Sequence, residues 1–205
     1  VNLSIAICAH ISRKEQAEAL SREVGAPISM DHGDLGCVAN HERSLRLAVE
    51  TPADWDLVLE DDASLVPDFS EQVRAALAVC PAPFASLIYP YIGSPDPEVR
   101  ARLEKHDPCW VMRQGLDMAL AVAVRADYVQ DLLEVSEAVG AELPHLPADH
   151  RWGEAMMRLG FWVPHAYPSL VEHADGRSLM IDPPDGFERR AYRVGGRKQW
   201  TEASI

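Results

Sequence analysis

Residues 55–63 read Trp-Asp-Leu-Val-Leu-Glu-Asp-Asp-Ala, an apolar run that passes directly into three consecutive carboxylates, Glu60, Asp61 and Asp62. Adjacent acids repel one another, so a strand end that gathers three of them answers to a cation. Hard divalent ions such as Mg²⁺ and Mn²⁺ prefer carboxylate oxygens and leave coordination positions open for substrate phosphates. The pattern therefore points to a metal-bridged phosphate ligand, with a nucleotide-sugar as the leading candidate. The plainer alternative is a solvated acidic turn that closes a strand.

The elements that would position these acids follow from the hydrophobic pattern. Residues 1–10 form a near-continuous apolar run, 13–24 are charged with Ala and Leu at helical spacing, and 27–31 form a second short apolar run. This is a βαβ opening, which places ligands at the carboxyl ends of its strands. An amphipathic helix is predicted over 36–49, ending before Thr51-Pro52, followed by the strand that carries the acids. Further helices are predicted over 67–79, 94–104, 126–139 and 149–159. Strands are predicted at 85–92, 110–112, 119–124 and 161–163.

With 205 residues, 47% hydrophobic and 25% charged, the chain suits one globular domain. Nineteen basic against thirty-two acidic residues give a formal charge of -13, which opposes nonspecific attraction to nucleic acid or anionic membrane. The one dense basic stretch is 188–198, so the expected organisation is a domain over 1–186 and a mobile basic tail over 187–205. Cys8, Cys37, Cys80 and Cys109 show no close metal-binding spacing. No apolar run approaches the roughly 18 residues of a membrane span, and no signal peptide is visible, so a cytoplasmic protein is expected.

The stretch Gly33-Asp34-Leu35-Gly36-Cys37-Val38-Ala39-Asn40-His41, then a helix, then the strand ending Glu60-Asp61-Asp62-Ala63, resembles glycosyltransferase family 25. That family carries a Gly-Glu-hydrophobic-Gly-Cys-x-x-Ser-His segment, a helix, and an apolar strand ending in Glu-Asp-Asp-Ala. Order, spacing and residue types agree over 33–63, with Asp34 in place of Glu and Asn40 in place of Ser. The resemblance implies a single α/β/α sandwich of GT-A type, Rossmann-like, with a mixed, mostly parallel central sheet. It also implies a nucleotide-sugar donor, by default a UDP-hexose and in this family usually galactose, bound with Mn²⁺ or Mg²⁺.

The resemblance assigns roles residue by residue. Asp62 is the first choice of metal ligand and Asp61 the second, with Glu60 bracing the loop or meeting the ribose. Pro168-Ser169-Leu170-Val171-Glu172-His173 is similar to the family's Pro-x-Leu-Val ending, which makes His173 a further candidate ligand. Leu146-Pro147-Ala148-Asp149 is similar to its Pro-x-Asp, which makes Asp149 the candidate base for the acceptor hydroxyl. Capping of a helix amino end is the plainer role for Asp149. Gly115 and Asp117, within Arg113-Gln114-Gly115-Leu116-Asp117, would approach donor or acceptor.

His10 and Arg13 at the end of the first strand would touch base or phosphate, Arg177 and Ser178 would reach the diphosphate, and His41 would pin its helix near the acidic loop. The acceptor, whether glycan, protein or modified base, is left open. Two rival functions use the same residues. One is a metal-dependent nucleotidyl or phosphoryl transferase, and the other is a noncatalytic module that binds nucleotide-sugar or carbohydrate.

Overall fold

The structure, a computed structural model, describes residues 1–91, 97–174 and 190–205. The first apolar run forms β1 (Leu3–His10), and after one 3-10 turn (Ile11–Arg13) the chain returns along α1 (Lys14–Val24). Gly25 ends α1 with φ 68°, a left-handed conformation that glycine adopts without a Cβ clash. There follow β2 (Ile28–Asp31), α2 (Cys37–Val49), β3 (Trp55–Glu60), β4 (Ala63–Leu65), α3 (Phe69–Leu77), β5 (Phe84–Ser86) and β6 (Pro90–Tyr91). The remainder is α4 (Pro97–His106), β7 (Trp110–Arg113), β8 (Ala121–Arg125), α5 (Val129–Glu142), α6 (Ala148–Arg158), β9 (Val163–Ala166), β10 (Val171–His173) and β11 (Arg190–Ala191).

Seven strands form one sheet in the order β2-β1-β3-β8-β5-β9-β7. Strands β1, β2, β3, β5 and β9 run one way, while β8 and β7 run against their neighbours. The architecture is thus mixed α/β and Rossmann-like, with most strands of the sheet aligned. Side-chain alternation along the central strands divides the core into two layers. Ile7, Ala9, Leu57 and Leu59 face α1 and α3, where they meet Ala17, Leu20, Phe69 and Val73. Cys8, Val58, Val122 and Val124 face the other way, toward Leu45 of α2, Leu132 of α5 and Trp152 of α6. Helices therefore cover both faces, and the αβα layering expected from the βαβ opening is present.

Three short elements had no counterpart in the sequence pattern: β4, β10 and β11. Strands β4 and β10 pair antiparallel with His173 opposite Ala63, and β11 pairs with β6. The strand predicted over 85–92 divides into β5 and β6, and β9 begins only at Val163, leaving Trp162 half exposed outside it.

Where composition predicts a mobile basic tail after residue 187, residues 190–205 are anchored. Trp200 is buried with its ring 5.7 Å from that of Trp110, and its Nε1 donates to Gln72 Oε1 at 2.9 Å. Arg197 donates to the carbonyls of Pro108, Tyr167 and Asp107, so its charge serves to close the chain end onto the domain. Among the described residues no helix is long and apolar enough to cross a membrane.

Asp56 sits in the middle of this core, 1% exposed, and its Oδ1 has no hydrogen-bond partner among the described residues. Burial pushes its carboxyl up to about 6. A folded pKa above the unfolded value of about 3.9 means that stability is lost as pH rises from about 4 through about 6. Asp56→Asn is therefore expected to stabilise the protein at pH 8 by about 2–3 kcal/mol and to give little gain at pH 4. Denaturant melts of both proteins at the two pH values check this.

Candidate functional site

The carboxyl ends of β1, β2 and β3 enclose a cavity of about 360 Å³, lined among others by His10, Arg13, His41, Asp61, Asp62 and His173. Each acid of the triplet meets its own set of partners there, with Arg13 common to Asp61 and Asp62. Glu60 Oε1 lies 3.0 Å from His41 Nε2. Burial opposes charge on the His41 ring, but the contacts with Cys8, Cys37 and Glu60 outweigh it and hold the imidazole protonated. Burial likewise raises Glu60, and the same ring outweighs it, so Glu60 stays below its ordinary value. The contact ties α2 to the acidic loop.

Asp61 is committed to the chain itself. Its Oδ2 accepts the His10 backbone N–H at 2.8 Å and its Oδ1 accepts from Arg13 at 3.0 Å. These bonds fix the turn after β1, where His10 Nδ1 lies 2.8 Å from Ser12 Oγ and caps the 3-10 turn. A metal at Asp61 would have to displace Arg13.

Asp62 differs from its neighbours. Its Oδ2 accepts from Arg13 at 2.5 Å and lies 3.3 Å from His173 Nε2, while its buried Oδ1 has no partner among the described residues. Burial, then the charge of Glu60, pushes its carboxyl upward, so the anion gains from any further cation.

His173 reaches this point through the β4–β10 ladder, and the Ala174 N–H donates to the Asp62 carbonyl at 2.8 Å. His173 Nδ1 lies 2.9 Å from the Ala174 carbonyl, which can only accept. Nδ1 therefore carries a hydrogen, and Nε2 is the nitrogen that faces Asp62. A carboxylate and an imidazole in that relation are held together by a proton or by a metal ion.

The donor set fits a hard divalent cation in part. Among the described residues no group of three or more His, Cys, Asp or Glu side chains forms a ready metal cage. Asp62 Oδ1 and His173 Nε2 can supply two ligands, and Mg²⁺ or Mn²⁺ commonly completes its shell with water and phosphate oxygens.

The loop before α2 is organised by a residue that sequence reasoning passed over. Asp31 Oδ1 accepts the N–H groups of Gly33, Asp34 and Leu35 at 2.8–3.2 Å, and its Oδ2 accepts that of Gly36 at 2.9 Å. Burial would raise this carboxyl, but the four bonds outweigh it and hold it at about 2. Gly33 and Gly36 adopt φ of 99° and 83°, which explains glycine at both positions. The loop's N–H groups are spent on Asp31, so it is a brace for α2 and offers no phosphate cradle. Asn40, half of the departure from the family pattern, is buried and ties β1 to β2 by donating to the Ala9 carbonyl and accepting from Ser29.

Asp149 lies in the first turn of α6, where its Oδ1 accepts the His150 N–H at 2.8 Å. Burial pushes its carboxyl upward; Trp152, further along α6, stands edge-on to His41, while Asp149 itself does not line the cavity. Gly115 serves packing: at φ 91° it rests on Gly153 of α6, and neither it nor Asp117 lines the cavity. Asp117 pairs with Arg113 at 3.0 Å, whose guanidinium stands 5.7 Å from the Tyr89 ring centre. Arg177 and Ser178 lie outside the described residues.

No protein-family profile matches the chain, and no curated protein sequence matches it. Among solved structures, it is similar to the crystal structure of a glycosyltransferase involved in the glycosylation of the major capsid of PBCV-1. The identity is 14% and the TM-score 0.43, over 84% of this chain and 95% of that one.

The contact between α6 and the loop before β8 sets where Asp149 stands. A Cβ on Gly153 would fall 2.5 Å from the Leu116 backbone nitrogen and 3.0 Å from Gly115 Cα. Backbone cannot yield as a side-chain tip would, so Gly153→Ala is expected to cost about 1–3 kcal/mol. Thermal melts should show a drop of several degrees, and an unchanged melting temperature would refute this packing.

Proposed function

We propose that the protein is a metal-dependent, inverting glycosyltransferase that moves a hexose from a nucleotide-sugar, a UDP-hexose, to an acceptor hydroxyl. The observation that carries this reading is the Asp62–His173 pair at the carboxyl end of β3. A buried carboxylate oxygen without a partner stands beside an imidazole nitrogen, on the wall of a cavity at the strand ends. The resemblance of residues 33–63 to family 25 supports the same reading independently of that geometry.

In this reading Asp62 and His173 hold the metal, and Asp61 keeps the turn after β1 in place. Arg13, fixed between two carboxylates, turns its charge toward phosphate oxygens. When bound, Mn²⁺ or Mg²⁺ neutralises charge that develops on the departing nucleoside diphosphate. Glu60 and His41 form a rigid ion pair behind the site. Asp149 takes the acceptor's hydroxyl proton on Oδ2, since Oδ1 is engaged by His150. As the acceptor oxygen attacks the anomeric carbon, the bond to the leaving phosphate oxygen breaks on the opposite face.

The burial that raises Asp149 has a kinetic consequence. A base must be deprotonated, so the rate falls as pH drops through its pKa, and here that acidic limb lies above the ordinary carboxylate range. Release of UDP from a panel of UDP-sugars with Mn²⁺ and simple glycoside acceptors tests the whole reading. Asp149→Asn should lower acceptor-dependent release by about 100-fold or more, in keeping with loss of a general base. Transfer by that variant within a few-fold of the parent would remove Asp149 from the role, and release of pyrophosphate in place of UDP would indicate nucleotidyl transfer.

A further inference from the structure

The cavity also holds a cluster that glycosyl transfer does not use. Cys8 of β1 and Cys37, the first residue of α2, both line it. Their sulfurs lie 3.5 and 3.6 Å from one atom, His41 Nδ1, so a single imidazole edge bridges them. His41 is 2% exposed, its Nδ1 also reaches the Cys37 carbonyl at 2.9 Å, and its Nε2 faces Glu60. The ring is thus oriented from both sides, with a carboxylate behind it and two thiols in front. Cys37 adds a second feature, because it opens a 13-residue helix whose first N–H groups favour negative charge.

The other two cysteines provide a contrast within the same chain. Cys80 is half-buried, as Cys37 is, but burial pushes its thiol up to about 12. Cys109 is buried with its sulfur 3.5 Å from Thr201 Oγ1. Neither lines the cavity, and among the described residues neither has a hydrogen bond to an imidazole.

We propose that Cys37 is a site of covalent modification, a nucleophilic thiol that exchanges with small disulfides entering the cavity. Its thiol proton passes to solvent and its sulfur attacks one sulfur of R–S–S–R. The S–S bond of the reagent breaks, RS⁻ leaves with the electron pair, and a mixed disulfide remains on Cys37. The Cys8 thiol, against the same imidazole edge, can repeat the exchange on that mixed disulfide. This releases a second RS⁻ and leaves a Cys8–Cys37 disulfide, so one disulfide is reduced for each one formed. An adduct at Cys37 stands in the cavity and competes with a ligand there. That last consequence rests on the proposed donor site, whereas the exchange does not.

The folded full chain is treated with 5,5′-dithiobis(2-nitrobenzoate), released thiolate is followed by absorbance, and modified peptides are located by mass. The expected result is a fast phase at Cys37, about tenfold or more faster than labelling of Cys80, ending in an adduct or a Cys8–Cys37 disulfide. Cys37→Ser should abolish that phase, and His41→Gln should slow it. Cys8→Ser, which leaves the imidazole in place, should keep the fast phase and retain the adduct. Equal labelling of Cys37 and Cys80, or a fast phase that survives Cys37→Ser, would overturn the proposal. UDP with Mn²⁺ is added in a separate arm: protection of Cys37 supports the donor reading, and fast labelling without protection refutes that reading while leaving the thiol assignment intact.

Discussion

Three carboxylates held side by side at the end of a buried strand must each be neutralised, and the architecture around β3 answers that constraint. Desolvation and mutual repulsion both disfavour the charged forms. The chain brings partners to the acids from several directions, with Arg13 shared between Asp61 and Asp62. His41 comes from α2 for Glu60, Arg13 and the His10 N–H come from the turn after β1 for Asp61, and Arg13 with His173 comes for Asp62. Of the three acids only Asp62 keeps a buried oxygen without a hydrogen-bond partner among the described residues, and the proposed function takes that oxygen as its ligand position.

The supporting elements make sense in this light. Helix α2 buries Asn40, His41 and Ser44 on its inner face because its amino end lines the cavity and must hold Glu60. Asp31 gathers four N–H groups so that the loop delivers α2 at the right place. The His41 ring packs edge-on against Trp152 of α6, 5.8 Å between centres, which couples the acidic loop to the helix that carries Asp149. The close Gly115–Gly153 contact locks that helix against the loop before β8. A short ladder, β4 with β10, carries His173 to the site directly after the acids, so the same chain segment provides the carboxylate and the place where its partner docks.

Much of this was legible in the sequence because it depends on local pattern. The βαβ opening, α2 and the acid-terminated strand follow from apolar periodicity, and the two residues that the family resemblance pairs, Asp62 and His173, lie 3.3 Å apart. Other features depend on long-range geometry that periodicity does not encode. Three-residue strands such as β4 and β10 carry too few residues to show alternation. Asp31 reads as one more acid at a strand end until the four N–H groups that bind it are seen. Gly115 reads as a point of ligand approach, and its contact with Gly153 of α6, 38 residues later, has no local pattern to announce it. The basic stretch at 188–198 reads as a solvated tail, but Arg197 donates to the carbonyl and carboxylate of Asp107, 90 residues earlier, and Trp200 packs on Trp110, contacts too distant in the chain to mark local composition.

In the proposed function Asp62 is the protein's carboxylate for a metal-bound nucleoside diphosphate. It is tested most directly by calorimetric titration of Mn²⁺ with UDP into the parent and into Asp62→Asn, which keeps the side chain's shape and removes its charge. The account predicts binding to the parent and binding weakened by about tenfold or more in the variant, at an unchanged fold by circular dichroism. Undiminished binding to a folded Asp62→Asn protein would contradict it.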